Sequence, residues 1–110
     1  MNEKVDQGFK EILQDKIVLN IPGFQWSSHG RGANIYFVEN QSITIIYAEM
    51  PAVKEYDVLV FGETKHINKR YYPNDQKVET IPTEERFRIQ HLLVDWLASK
   101  GMRHDINVGK

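Results

Sequence analysis

The stretch NIYFVENQSITIIYA, residues 34–48, decides the fold. Asn34 to Val38 and Ser42 to Ala48 are rich in β-branched and aromatic residues, the composition that fits a pleated, packed surface. The polar gap Glu39-Asn40-Gln41 is short enough to join them as a hairpin. The fold is therefore expected to grow around an antiparallel pair. Upstream, SSHGRG (27–32) is a loop by composition, and Phe24 and Trp26 alternate with polar neighbours as in a short strand. Ile17 to Ile21 is apolar and β-branched, and Pro22-Gly23 interrupts it. Downstream, EMPAVKE reads as a connection and YDVLVF (56–61) as a third strand ended by Gly62. TKHINKRYY (64–72) reads as a polar fourth strand at a sheet edge, where Lys65 and Lys69 would discourage edge-to-edge pairing. PNDQKVETIP reads as a loop, and the tail MRHDINV alternates as a final strand would.

Two helices flank this β region. Val5, Phe9, Ile12 and Leu13 fall on one helical face, predicting a helix over 3–14. Asn2 would cap it, and Glu3 and Asp6 suit the positive end of its dipole. Gly8 opposes it, because glycine costs roughly 1 kcal/mol against alanine inside a helix. A second helix is expected over 84–100. Thr83 would cap it, Glu84 and Glu85 occupy the first turn, and Gly101 stands where a helix-ending glycine belongs. Ile89, Leu92, Leu93, Trp96 and Leu97 form its apolar stripe, widened by Phe87 and Val94. Long stretches of strand without intervening helices argue against a parallel βαβ fold. The expectation is one α+β domain over residues 1–110. Its antiparallel twisted sheet would have about 4–6 strands, with both helices packed on one face.

Composition narrows function. The 110 residues carry 14 Lys+Arg against 15 Asp+Glu, a net charge of −1. A dedicated DNA binder would show a basic surplus. With no cysteine, disulfides, thiolate metal sites and a cysteine nucleophile are excluded. The N-terminus lacks the apolar run of a signal peptide, and no segment has the ~20 apolar residues of a membrane span. An intact cytoplasmic protein starting at Met1 is expected, with no membrane partner.

Motifs for chemistry are sparse. His29, His66, His91 and His104 show no metal-ligand spacing, and neither a metal nor a cofactor is expected. His91 and Asp95 are four apart on the second helix and read as a surface pair. SSHGRG offers hydroxyls, a base and an arginine. It matches neither a phosphate-binding loop nor a nucleophile elbow, and it leads into a strand. No catalytic residue is assigned.

Charge is unevenly placed. Residues 39–63 hold Glu39, Glu49, Glu55, Asp57 and Glu63 against Lys54 alone, whereas 64–72 hold three bases and no acid. Such a dipolar surface would steer a charged protein partner. In NKRYYPND (68–75), alternation puts Lys69 and Tyr71 on one strand face and Arg70 and Tyr72 on the other. Pro73 would end the strand. One tyrosine then belongs to the core and the other is open to a partner.

The segment from Phe61 to Leu97 resembles the small α+β immunity proteins of bacterial polymorphic toxin systems of the contact-dependent inhibition type. The resemblance rests on the step RYYPND and on IPTEERFRIQHLLVDWL, at Arg70, Tyr71, Pro73, Ile81, Glu84, Glu85 and Arg86. The family often has tryptophan where Tyr71 stands, and the loop NDQKVET is longer than its pattern. The resemblance implies a non-catalytic inhibitor that binds a cognate toxin domain and occludes its active site. Against a basic toxin the interface would use Glu49, Glu55, Asp57 and Glu63. Against another, Arg70, Tyr71 and Tyr72 are the candidate anchors, since Tyr and Arg are enriched in hot spots. An RNA- or single-strand-binding module ranks second, with Tyr71 and Tyr72 stacking bases while Lys65, Lys69 and Arg70 hold phosphate. A small hydrolase built on His29 ranks third. The sequence leaves the toxin, the interface face and the oligomeric state open.

Overall fold

A computed structural model describes residues 6–110. Helix α1 (Gln7–Gln14) is followed by strands β1 (Gly23–His29), β2 (Gly32–Glu39), β3 (Ser42–Glu49) and β4 (Leu59–Val60). A single 3-10 turn at Thr64–His66 leads to β5 (Lys69–Tyr72), β6 (Lys77–Thr80) and helix α2 (Thr83–Ser99). All pairings between these strands are antiparallel, in the order β1-β2-β3-β5-β6. Strand β3 shares its second side. β4 pairs with its end at Ala48 and Glu49, and β5 meets its start at Ile43.

The central hairpin forms as its composition predicts, with Glu39 opposite Ser42. Asn40 and Gln41 both have positive φ, 51° and 64°, which matches the twist of a two-residue hairpin turn. SSHGRG is not a loop. Ser27, Ser28 and His29 continue β1, and only Gly30-Arg31 turns, with Gly30 at φ 64°. A two-residue turn with glycine first needs no more loop than that. Most of YDVLVF stays outside the ladder, leaving only Leu59–Val60. The predicted fourth strand splits into the 3-10 turn and β5. β6 lies inside the stretch read as a loop, and the tail contributes one parallel bridge, Val58 to His104, rather than a strand. Ile17 to Ile21 is likewise not a strand.

The helices lie on opposite faces of the sheet, which corrects the one-face expectation. Along β2, Ala33, Ile35 and Phe37 enter the core under α2, whereas Tyr36 and Val38 enter the core under α1. Successive strand side chains point to opposite faces, so a run buried at every position from Ala33 to Val38 needs a cover on each side. Ile89, Leu93 and Leu97 of α2 pack on the first face, with Phe24 stacked on Trp96 at 5.3 Å between ring centres. Phe9 and Ile12 of α1 pack on the second, with Tyr71 edge-on to Phe9.

Helix ends differ in detail from expectation. Asp6 caps α1 by accepting the Gly8 N–H at 2.9 Å; Asn2, Glu3 and Val5 lie outside the described residues. Leu13 is 78% exposed rather than on the buried stripe. Pro82 occupies the cap position of α2, and Thr83 is the first helical residue. At the other end, Gly101 adopts φ 67° while its N–H bonds Ala98 O and the Met102 N–H bonds Leu97 O. These paired bonds satisfy two terminal carbonyls of the helix.

Gln90 is fully buried in α2 and was invisible to the periodicity reading. Its amide donates to Gly62 O at 2.8 Å, and its carbonyl accepts the Gly109 N–H at 2.9 Å. The tail runs back along β4, where Asp105 accepts the Val60 N–H at 2.8 Å and Ile106 is buried against Gly62.

Candidate interaction surface

Helix α1 is only eight residues long, about 12 Å at 1.5 Å per residue. It cannot cover its whole face of the sheet. Beyond it, Tyr47 and Phe61 stand 44% and 41% exposed. They are neighbours, because the Phe61 N–H bonds Tyr47 O at 2.9 Å. A cavity of about 350 Å³ opens here, lined among others by Glu11, His29, Asn34, Tyr47, Glu49 and Phe61.

A polar network fixes the floor and rim of this cavity. Tyr47 Oη donates to Glu11 Oε2 at 2.8 Å, and Asn34 Nδ2 donates to Tyr36 Oη at 2.9 Å. Tyr36 Oη donates to Asp15 Oδ2, and His29 Nε2 lies 2.9 Å from that same oxygen. The Asp15 side chain is 5% exposed. Burial disfavours its charged form, and the bonds from Tyr36, His29 and Ser27 outweigh that, so its pKa falls below the ordinary value. Tyr36 and Tyr47 are pushed the other way, first by burial and then by the carboxylates they bond. The result is a pre-ordered acidic and aromatic surface.

The acidic residues singled out in the sequence are dispersed. Glu49 ends β3 and lines this cavity. Glu55 is exposed in the connection before β4. Asp57 is occupied by Arg103, which donates to it from its main chain at 2.7 Å and from its guanidinium at 3.0 Å. The Arg103 side chain, then its N–H, holds Asp57 down to about 2. Glu63 accepts the Asn107 N–H at 3.1 Å and lines a separate cavity beside the tail.

The basic-aromatic step is largely internal. Tyr71 is in the core under α1, with its hydroxyl on Asp6 at 2.8 Å, and Lys69 approaches Asp6 at 3.7 Å. Arg70 is mostly buried between Glu79 and Glu85. Tyr72 is half-buried, bonds Glu79 and lies under Lys77, 4.9 Å from the ring centre. The alternation read from the sequence puts these pairs on opposite faces, and the partners observed for each agree.

Sequence reasoning missed Glu11, Asp15, Asn34, Tyr36, Tyr47 and Phe61. A faint signal existed: Glu11 and Asp15 are four apart beside the apolar stripe of α1, a spacing that puts both on one helix face. Among the described residues no three His, Asp or Glu side chains gather as a metal ion would need, and no helix is long and apolar enough to cross a membrane. No protein-family model matches this chain, and neither a curated protein nor a solved structure does.

Proposed function

We propose that this chain is a non-catalytic immunity protein that binds a cognate bacterial toxin domain and occludes its active site in the cytoplasm. The observation that carries the reading is the bare end of the α1 face. Tyr47 and Phe61 are half-exposed there and flanked by Glu11 and Glu49. Aromatic groups with a fixed polar tip make strong interface anchors, and the acids around them favour a basic partner surface. Glu55 is exposed in the connection before β4, outside the cavity lining; Asp57 and Glu63 are already engaged within the chain.

The His29 cavity also invites a catalytic reading, and its geometry favours the binding role. Asp15 and the Ser27 hydroxyl both approach the same ring nitrogen, at 2.9 and 3.5 Å. A nucleophile and an orienting acid would need opposite nitrogens. A nucleic-acid module loses its stacking pair, since Tyr71 is a core residue, and Lys69 and Arg70 are paired with acids.

The test is to mix the protein with the toxin domain encoded beside it and measure toxin activity and complex formation. Inhibition in a one-to-one complex is expected. Phe61→Ala and Glu49→Lys should each weaken it by about tenfold or more, the scale of a hot spot. Absence of binding to any neighbouring product, with tight salt-sensitive RNA binding instead, would overturn the proposal.

A further inference from the structure

Among the described residues the sheet has one undefended edge. Strand β1 is seven residues long and pairs with β2 at every position without a bulge. From Gly23 to Ser28 it contains no charged residue and no proline. Proteins ordinarily guard a long flat edge with charge, proline, a bulge or a covering segment. The far edge is guarded in that way: β6 is four residues long and carries Lys77 and Glu79.

The register shows which groups are open. The two-residue turn makes His29 and Gly32 a hydrogen-bonded pair, so Gly23, Gln25, Ser27 and His29 spend their main-chain groups on β2. The N–H and C=O of Phe24, Trp26 and Ser28 point away from the sheet. Among the described residues no turn, loop or side-chain hydrogen bond reaches them. Trp26 is only half-buried, its indole N–H held by Ser28 Oγ at 2.7 Å.

We infer that β1 is the docking edge for a second copy of this chain, added antiparallel about Trp26. The choice of occupant follows from self-complementarity. Under a two-fold axis at Trp26, the open groups of Phe24 face those of Ser28 in the second copy, and Trp26 faces Trp26. Cross-strand aromatic pairs are favourable, and like charges opposite each other are not; no charge in Gly23 to Ser28 meets its own copy. The axis also brings Gln25 opposite Ser27 as a pair without hydrogen bonds between them, the closer kind of pair in an antiparallel ladder. This surface lies apart from Tyr47 and Phe61, so it stands independently of the proposed toxin-binding role.

Sedimentation of the full chain from micromolar to millimolar concentration should show a reversible monomer–dimer equilibrium. Ser28→Pro deletes an outward N–H, together with the exposed Oγ that holds the Trp26 indole, and should abolish the dimer with the circular dichroism spectrum unchanged. Ser28→Lys serves as a second variant should the proline variant misfold. Because the chain has no cysteine, an oxidised mixture of Gln25→Cys and Ser27→Cys proteins should give a disulfide-linked heterodimer, with little from either alone. A monomer at every concentration would overturn the inference. So would a dimer that neither Ser28 variant weakens, or amide protection of Trp26 and Ser28 that appears only when a toxin strand is bound.

Discussion

Gly8 shows how a residue that looks wrong for its element can be the one its packing requires. Inside a helix it forfeits roughly 1 kcal/mol relative to alanine. Yet an added Cβ would lie 2.2 Å from Cζ of Tyr71, the ring that fills the core beneath α1. The close approach also lets the Tyr71 hydroxyl reach Asp6, the cap of the same helix. Gly8→Ala should therefore destabilise by about 1–3 kcal/mol, the range for overpacking, although propensity alone predicts a gain. Denaturant unfolding decides between the two signs. Nothing in the sequence ties position 8 to position 71, so this constraint was not legible there.

At the scale of elements, legibility tracked pattern strength. The hairpin of β2 and β3 and the long helix α2 were readable because their apolar runs and end residues agreed. β6 was not, since Lys77, Glu79 and Thr80 look like loop residues and gain their place only by pairing with β5. The opposite placement of the helices had a readable trace: NIYFV is apolar nearly throughout, as a strand covered on both faces must be. Of the interface candidates only Glu49 fell at the observed cavity, because dispersion of the other acids is set by the connections around β4. The tail is the element whose role composition hid. It forms no strand, yet Ile106 is buried against Gly62. Ile106→Ala should cost about 2–5 kcal/mol, as for a core residue, and a surface-like loss below 0.5 kcal/mol in the same unfolding assay would show the tail to be ornamental.

For the molecule as a whole, the join between α1 and the sheet is written in tyrosines and carboxylates, and this sets its pH range. Asp6 is lowered by the Gly8 N–H and by Tyr71, and Asp15 by Tyr36 and His29 against its burial, both from 3.8. Depressed carboxyls favour the folded state above their unfolded pKa, and that contribution disappears as pH falls through the folded value. Tyr36, Tyr47 and Tyr71 are raised above 10.0 by burial and by Asp15, Glu11 and Asp6. Their contribution is whole below the unfolded value and is lost as pH rises beyond it. Circular dichroism against pH should show α1 released on both sides, below the ordinary aspartate range and above that of tyrosine. Tyr36→Phe should move the acid limb to higher pH. Full phenolate formation near 10 in a still-folded protein would contradict this account.

The tail that follows α2 has a last consequence. Asp105 takes the N–H of Val60, and the parallel bridge at Val58 lies beside it, so the outer margin of β4 is closed by the chain itself. β6 is closed by brevity and charge. A molecule adhesive on one margin alone cannot propagate along its sheet: once two copies meet, no open strand margin remains among the described residues to recruit a third. Growth into fibres needs a second, dissimilar contact, and the chain has stitched that one shut with its own C-terminus.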